Sequence, residues 1–157
     1  MSTHTPAQYL APGDGERLVA GPFVHRVLED GTHTDQRLAV LEGVMPPGWA
    51  GPPPHVHREH EETFFVIEGT VRFSSGDTET ALPAGGFFTA PMGVPHGFGN
   101  ASETEPARVL LTVSPQRYIG YFRELENLKP GPDGLLDHKE ILALMSRYAT
   151  EPAPPRT

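Results

Sequence analysis

Two imidazoles and a carboxylate lie close together in the sequence, in a segment that prolines keep extended. His55 and His57 stand two residues apart after the prolines at 52–54, so both side chains should point to one face of the backbone. Glu62 then opens an apolar strand, which would place its carboxylate at the rim of an apolar interior. Because a carboxylate in that position requires a cation, this segment predicts a metal site.

A second segment, residues 85–100, contributes another imidazole. Its glycines and prolines predict a bend that delivers His96, with Phe98 on the same side. The chain has no cysteine, so imidazole nitrogen and carboxylate oxygen are the strong metal ligands it can offer. Three neutral imidazoles and one carboxylate suit one divalent transition metal, which could be Fe, Ni, Mn, Co, Cu or Zn, and do not suit Mg or Ca. The residue types leave the choice among these metals open.

Neighbouring residues offer alternatives to this ligand set. Glu61 is the main alternative to Glu62, because a slip of one residue exchanges which carboxylate faces inward. The even spacing from Glu62 to Phe64 and Val66 favours Glu62. We expect His60, which lies in a charged loop, to be solvated, and we keep open a metal-free cluster held by hydrogen bonds. Four isolated histidines are expected to be surface or hydrogen-bonded core residues rather than ligands: His4, His25, His33 and His138.

The elements that would position these residues are short strands. Gly and Pro, 17 and 18 residues, interrupt short apolar runs, a pattern typical of a β-sandwich or barrel. After Pro115 the apolar spacing becomes helical, and Asp137 should cap a second helix. The segment 151–157 is expected to be frayed. Strands are predicted at 24–28, 37–45, 62–68, 70–74, 87–90 and 107–113, and helices at about 118–128 and 137–148.

Length and charge bound the domain and its partners. We expect a single domain over 1–157, with a barrel core at about 18–115 and a helical segment at about 116–149. The net charge of −8, without a basic cluster, argues against binding of nucleic acid or anionic membranes. No apolar stretch approaches the length of a bilayer span, and no basic and apolar leader opens the sequence, so we expect a soluble, cytoplasmic protein.

Together, the two segments resemble the cupin superfamily. Both of its motifs are matched in order, with all four ligand positions filled, as His55-x-His57-x4-Glu62-x6-Gly69 and Gly85-x5-Pro91-x-Gly93-x2-His96-x3-Asn100. One position departs from the pattern, since Trp49 stands where the family often has glycine. The rest of the chain is similar to small single-domain cupins of the cupin_2 type that are related to quercetin dioxygenases.

This resemblance implies an all-β cupin fold, a double-stranded β-helix or jelly-roll barrel with C-terminal helices. It implies one metal held by His55, His57, Glu62 and His96, with Glu62 also acting as general base. The favoured activity is a quercetinase-like dioxygenase of a phenolic or enolisable small molecule. Two alternatives stay open, a non-redox cyclase or isomerase of polyketide or sugar-like substrates, and a small-molecule-binding cupin without turnover.

Apolar residues beside the proposed metal are candidates for a substrate pocket, although a period of two also describes plain core. The candidates are Phe64, Val66, Phe73 and Phe98. The opposite face of the strand at 62–68 is also largely apolar, so we expect that face to be covered as well. A second sheet or a partner subunit would cover it, and a homodimer is therefore predicted.

Overall fold

Residues 5–156 are described by the structure, a computed structural model, and they form eleven strands and two α-helices. The strands are β1 Glu16–Ala20, β2 Phe23–Glu29, β3 Ala39–Met45, β4 His55–His57, β5 Glu61–Glu68, β6 Thr70–Ser75, β7 Thr78–Pro83, β8 Phe87–Ala90, β9 His96–Asn100, β10 Ala107–Ser114 and β11 Thr150–Pro152. The helices are α1 Ile119–Leu125, which follows a 3-10 turn at Gln116–Tyr118, and α2 His138–Ser146.

Two antiparallel sheets face each other and enclose the core. One sheet has the strand order β1-β2-β3-β10-β5-β8, and the other has the order β11-β4-β9-β6-β7. Because neighbours in both sheets are often distant in sequence, the chain crosses repeatedly between layers, as in a jelly roll. The all-β prediction is confirmed, with the refinement that the ladders of residues 5–156 form two sheets and not one closed barrel.

Strand β5 shows why one face carries the functional residues. Glu62, Phe64 and Val66 are buried, whereas Phe65 between them is 43% exposed. The alternation follows from the pleat, which sends successive side chains to opposite faces. Phe65 pairs in register with Phe87, which is 58% exposed, so the outer face is not fully covered by the described chain. That a second copy covers it stays a prediction.

The hairpin from β5 to β6 turns at Gly69, as its position in the sequence predicts. Its φ of 76° lies in the left-handed region, which glycine adopts without steric cost. A Cβ at this position would meet the carbonyl oxygen of Pro106 at 2.5 Å. Glycine is therefore required here both by the turn and by the close approach of the neighbouring strand.

The two helices cover one open end of the sheets. Asp137 caps α2, its carboxylate accepting hydrogen bonds from the backbone N–H groups of Lys139 at 2.8 Å and Glu140 at 3.2 Å. Both helices are shorter than predicted and end at Leu125 and Ser146. None of the helices within residues 5–156 is long and apolar enough to cross a membrane.

The end of the chain differs from the expectation that 151–157 is frayed. Strand β11 pairs antiparallel with β4, and Thr150 lies opposite His57 in this ladder. The pairing covers an edge of β4 that would otherwise expose unpaired backbone groups. The last strand therefore braces the segment that carries two of the predicted metal ligands.

Candidate metal centre

Four predicted ligands converge between the two sheets. His55 and His57 lie on β4 and His96 on the adjacent β9, whereas Glu62 reaches them from β5 in the facing sheet. One ligand atom from each of the four residues lies within 4.8 Å of all the others, and all four side chains are buried. His55 and His96 are direct partners in the β4–β9 ladder, which fixes their relative position. The cluster could hold one metal ion.

Each imidazole is oriented by a hydrogen bond at its Nδ1 atom. The Nδ1 atoms of His55 and His96 lie 2.7 Å and 3.1 Å from the backbone carbonyl oxygens of Pro53 and Val94. A carbonyl oxygen only accepts, so both Nδ1 atoms carry the proton. Their Nε2 atoms are consequently left with lone pairs, the form in which an imidazole binds a metal.

The third imidazole is fixed in the same way by a side chain distant in sequence. Nδ1 of His57 lies 2.8 Å from Oγ1 of Thr150. That hydroxyl donates its own proton to the carbonyl oxygen of Tyr148, at 3.2 Å, so it accepts from His57. The Nε2 atom of His57 therefore also presents a lone pair toward the cluster.

The carboxylate of Glu62 faces these lone pairs at short distance. Its Oε2 atom lies 3.2 Å from Nε2 of His57 and 3.4 Å from Nε2 of His96. Neither Nε2 atom has a hydrogen-bond partner among the described residues. Electron-rich atoms that face one another in a buried site need a cation between them, and a transition metal fits this set of three nitrogens and one oxygen.

Burial sets the protonation of the cluster. Burial lowers the pKa of His55 to about 3, so its imidazole is neutral at physiological pH. Burial also lowers the pKa of His57. For Glu62, burial raises the pKa, but imidazoles that carry a proton toward the carboxylate, His57 above all, hold the pKa well below its usual range. When the imidazoles are neutral, a bound cation would supply this positive charge. Neutral imidazoles with an ionised carboxylate are the state that binds a divalent cation.

The remaining carboxylate and histidine alternatives are resolved by where the side chains lie. Glu61 is half-buried, whereas Glu62 is 2% exposed and belongs to the cluster. His33 lies 3.0 Å from Glu29, and His138 is exposed. Neither His33 nor His138 belongs to the cluster of candidate ligands, as expected. His4 lies outside the described residues.

The expectation that His60 is solvated is wrong. Its side chain is buried, and its ring centroid lies 3.9 Å from that of His57 and 4.3 Å from that of Tyr118. Its Nε2 atom is 3.7 Å from Oε1 of Glu62. The loop between β4 and β5 is covered by the aromatic ring that follows β10, a long-range contact that local charge does not reveal.

His25 lies outside the cluster of candidate ligands, as expected, but the expectation that it is a surface or hydrogen-bonded core residue is wrong. This residue is 1% exposed, and neither of its ring nitrogens has a hydrogen-bond partner within residues 5–156. Burial lowers its pKa to about 3. Its place on β2 between the buried residues Phe23 and Val27 follows the period of two, so this pattern could have predicted an inward-facing imidazole.

A cavity of about 100 Å³ extends from the cluster toward the helices. His55 and Glu62 line one part of it, and His25 lines another. Its wall is mainly apolar, and its aromatic members include Phe23, Trp49, Phe98, Tyr118 and Phe122. Helices α1 and α2 supply part of this wall, a role that was not predicted from the sequence.

Of the four predicted pocket residues, Phe98 lines this cavity. Phe64, Val66 and Phe73 are instead core residues with exposures of 2% or less, outside the lining of the cavity. Phe73 stacks on Phe88, with ring centroids 4.5 Å apart, which fills the space where a pocket was expected. Contact of these three residues with a substrate stays a prediction.

Trp49 occupies the position that departs from the motif without disturbing the turn. Its carbonyl oxygen accepts a hydrogen bond of 2.9 Å from the backbone of Asn100, and its ring lines the cavity. Gly48 and Gly51 on either side have φ values of 70° and 90°. These flanking glycines supply the left-handed backbone, so a bulky side chain is accepted at position 49.

Comparison with known proteins finds one matching family and one curated relative. Residues 41–113 match the family described as Cupin domain. Quercetin 2,3-dioxygenase of Bacillus subtilis (strain 168) is 27% identical over 116 residues, which cover 74% of this chain. The chain spans 34% of the length of that curated relative.

Solved structures share the fold. The polyketide cyclase RemF from Streptomyces resistomycificus superposes with a TM-score of 0.60 at 24% identity, covering 69% of this chain and 80% of its own. KdgF from Halomonas sp. superposes with a TM-score of 0.61 at 19% identity, covering 72% of this chain and 96% of its own. At these identities the likeness supports the jelly-roll fold and not a particular reaction.

Proposed function

We propose, from the match of residues 41–113 to the cupin domain family, that this chain is a metal-dependent dioxygenase of a small phenolic or enolisable molecule. The observation that carries the proposal is the buried carboxylate of Glu62 facing the Nε2 lone pairs of His57 and His96. Support for oxygen chemistry comes from the curated relative, which is named quercetin 2,3-dioxygenase. When bound, a divalent transition metal supplies Lewis acidity and, if it is redox-active, the electron transfer that dioxygen chemistry needs.

Glu62 is the residue that we assign to proton transfer. Its pKa lies well below the usual range, so the carboxylate is ionised but is a weak base. It could accept a proton from an enol or phenol beside the cluster because a bound metal would lower the pKa of that hydroxyl. The side chain also lines the cavity, where a substrate hydroxyl can reach it. A phenolate or enolate formed in this way is electron-rich and therefore suited to reaction with dioxygen.

The cavity walls position the substrate and exclude water. Aromatic rings of Phe98, Tyr118 and Phe122 offer flat apolar surfaces against which a substrate ring can pack. A volume of about 100 Å³ is small beside the roughly 300–1,000 Å³ of typical ligand pockets. This size favours a compact substrate with one ring, or an open-chain diketone, over a flavonol of three rings.

The proposal is tested by oxygen uptake. Metal-free protein would be loaded separately with Fe, Mn, Co and Ni, and incubated in air with acetylacetone, catechol or quercetin. We expect oxygen consumption with at least one compact substrate, less with quercetin, and both atoms of isotopically labelled dioxygen in the product. Absence of uptake with every combination of metal and substrate would refute dioxygenase activity.

Glu61 offers a matched control for the role of Glu62. Both residues lie on β5, but Glu61 is half-buried and outside the cluster. At equal metal content, Glu62→Gln should lose about 100-fold or more in rate, since it loses its proton acceptor, whereas Glu61→Gln should remain within about twofold. Equal activity of the two variants would exclude Glu62 as the base.

A second candidate is a non-redox cyclase or isomerase with the same ligands. The donor set of three nitrogens and one oxygen also suits Zn, which cannot take part in redox chemistry. A structural neighbour, RemF, is named as a polyketide cyclase. Elemental analysis of protein purified without added metal separates the candidates, because dominant Zn together with turnover in the absence of oxygen would favour this one. Tight ligand retention without turnover would favour a binding protein.

A further inference from the structure

His25 is a buried core residue to which no role has been assigned so far. It projects inward from β2 and is 1% exposed. Its ring packs between Phe23 and Phe122, with centroid distances of 3.9 Å and 4.8 Å. The surroundings are therefore those of an apolar core residue, although the side chain carries two polar nitrogens.

These two nitrogens are unsatisfied within residues 5–156. A buried polar atom without a partner costs folding free energy, because it loses its hydrogen bonds to water. The chain can satisfy such groups, as the side-chain amide of Asn100 shows by donating to the carbonyl oxygens of Met45, Pro46 and Glu105. The hydroxyl of Tyr118, which lines the same cavity as His25, also lacks a partner within residues 5–156. An imidazole that lacks both partners therefore requires an explanation.

The cavity supplies that explanation. His25 lines the same cavity as His55 and Glu62, the residues through which the candidate metal centre contacts that space. The rings of Trp49 and Phe122 also border the cavity. A molecule bound at the metal end therefore lies against aromatic walls, and the ring of His25, with its unpaired nitrogens, borders the same space.

We propose that His25 is a ligand-binding residue that hydrogen bonds a neutral polar group of the substrate distal to the metal centre. This inference rests on the proposed function and specifies its substrate class further. The substrate would be compact and aromatic or enolic, with one end that binds the metal and a carbonyl or hydroxyl group at the other end. His25 would then select for the distal group and take no part in the chemistry.

The charge state of His25 supports a neutral distal group. Burial lowers its pKa to about 3, so the ring is uncharged at physiological pH and offers one N–H donor and one lone pair. Such a ring can donate to a carbonyl or accept from a hydroxyl, but it provides no positive charge for a carboxylate or phosphate. Acidic sugars and phosphate esters are therefore poor candidates for this end of the cavity.

The test compares two catechols on cobalt-loaded protein. Protocatechualdehyde carries a carbonyl opposite its metal-binding hydroxyls, whereas 4-methylcatechol has a methyl group there. Dissociation constants would be measured by absorbance for wild type, His25→Leu, His25→Gln and His33→Leu. His33 is a matched control, because it pairs with Glu29 and lies outside the cavity lining.

We expect His25→Leu to weaken protocatechualdehyde binding about tenfold, the value of one hydrogen bond, and to leave 4-methylcatechol within about twofold. His25→Gln should recover part of the loss, since it keeps a donor and an acceptor. His33→Leu should behave as wild type. The thermal unfolding midpoint of metal-free His25→Leu should equal or exceed that of wild type, because an unsatisfied polar group has been removed.

Three results would overturn the inference. An equal loss of affinity for both catechols in His25→Leu would indicate a general change in the shape of the cavity. Unchanged affinity for both would show that His25 contacts no ligand. A clear fall in the unfolding midpoint would identify His25 as a packing residue. Failure of wild type to take up any of Fe, Mn, Co and Ni would overturn the proposed function itself. Normal metal content combined with any of the three results would affect only the role of His25.

Discussion

Histidines at the two ends of the cavity differ in the hydrogen bonds that their rings make. At the metal end, His55, His57 and His96 each use Nδ1 in a hydrogen bond to the chain, and their Nε2 atoms turn toward a common point. At the other end, His25 is equally buried, but its ring makes no hydrogen bond within the described chain.

This difference separates two uses of the same side chain. An imidazole that binds a metal needs a defined tautomer and ring direction, which a second hydrogen bond provides. An imidazole that binds varied groups of a ligand benefits from having both nitrogens free, at a cost in stability of about 1–3 kcal/mol. Burial alone therefore does not identify the role of a histidine, but the partners of its two nitrogens do.

The strongest test of the metal end is removal of a ligand. We expect His57→Ala to lose metal affinity by more than the about 10–100-fold typical of changes outside the ligand set, because a coordinating nitrogen disappears. Metal content after dialysis against a buffered metal solution measures the effect. His33→Ala serves as control, and normal metal content in His57→Ala would remove this residue from the site.

Removal of the hydrogen bond that orients His57 should give the next largest effect. Thr150→Val keeps the shape of the side chain but removes the hydroxyl that accepts from His57. We expect metal affinity to fall about 10–100-fold, because the ring loses its fixed tautomer and orientation. Competition with a chromogenic chelator measures the change. The exposed Thr80→Val is the matched control, and equal affinities would show that β11 does not orient His57.

The buried imidazole of His25 should affect how the free energy of unfolding depends on pH. The pKa of His25 falls from 6.5 to about 3 on burial, so the unfolded chain binds a proton that the folded chain rejects between these values. The contribution of this neutral ring is intact above pH 6.5 and is lost as the pH falls toward 3.

Replacing the His25 ring should make the free energy of unfolding less dependent on pH. In metal-free protein, His25→Leu should reduce the fall in unfolding free energy by about 1.4 kcal/mol per pH unit between about pH 6 and pH 4, the value of one proton. Urea denaturation at each pH measures the free energy of unfolding, with His33→Leu as control. Parallel curves for wild type and His25→Leu would contradict the assigned burial of the ring.

The smallest effect concerns the helix that covers the His25 end. Asp137→Ala removes the cap of α2, whose residues Ile141 and Met145 line the cavity. We expect a loss of about 1 kcal/mol in unfolding free energy, with metal affinity within about twofold of wild type. Asp137→Asn keeps the capping oxygen and should be nearly neutral. A large loss of metal from Asp137→Ala would show that the two ends are not independent.

The resemblance to the two cupin motifs predicted that the four candidate ligands meet, and local geometry predicted which way two of them face. Prolines extend the backbone before His55, and the period of two decides that Glu62 rather than Glu61 faces inward. The same period could not distinguish core from cavity, since Phe64 and Phe98 both face inward but differ in whether a cavity lies beside them. That difference depends on where the helices pack.

The misjudged histidines show the limit of local reasoning. His60 is covered by Tyr118, which lies far along the chain, and His25 is covered by Phe122 from α1. Both contacts form only when the helical segment folds back over the open end of the sheets. Strand β11 was missed for a similar reason, because a proline-rich end pairs here with β4.

The hydrogen bond from His57 to Thr150 joins positions 93 residues apart. During translation, all four candidate ligands therefore emerge from the ribosome well before the residue that holds one of them in place. The nascent chain would bind a metal weakly until the final strand has been synthesised and paired with β4. An ion bound before that pairing would therefore dissociate more readily than one bound after it.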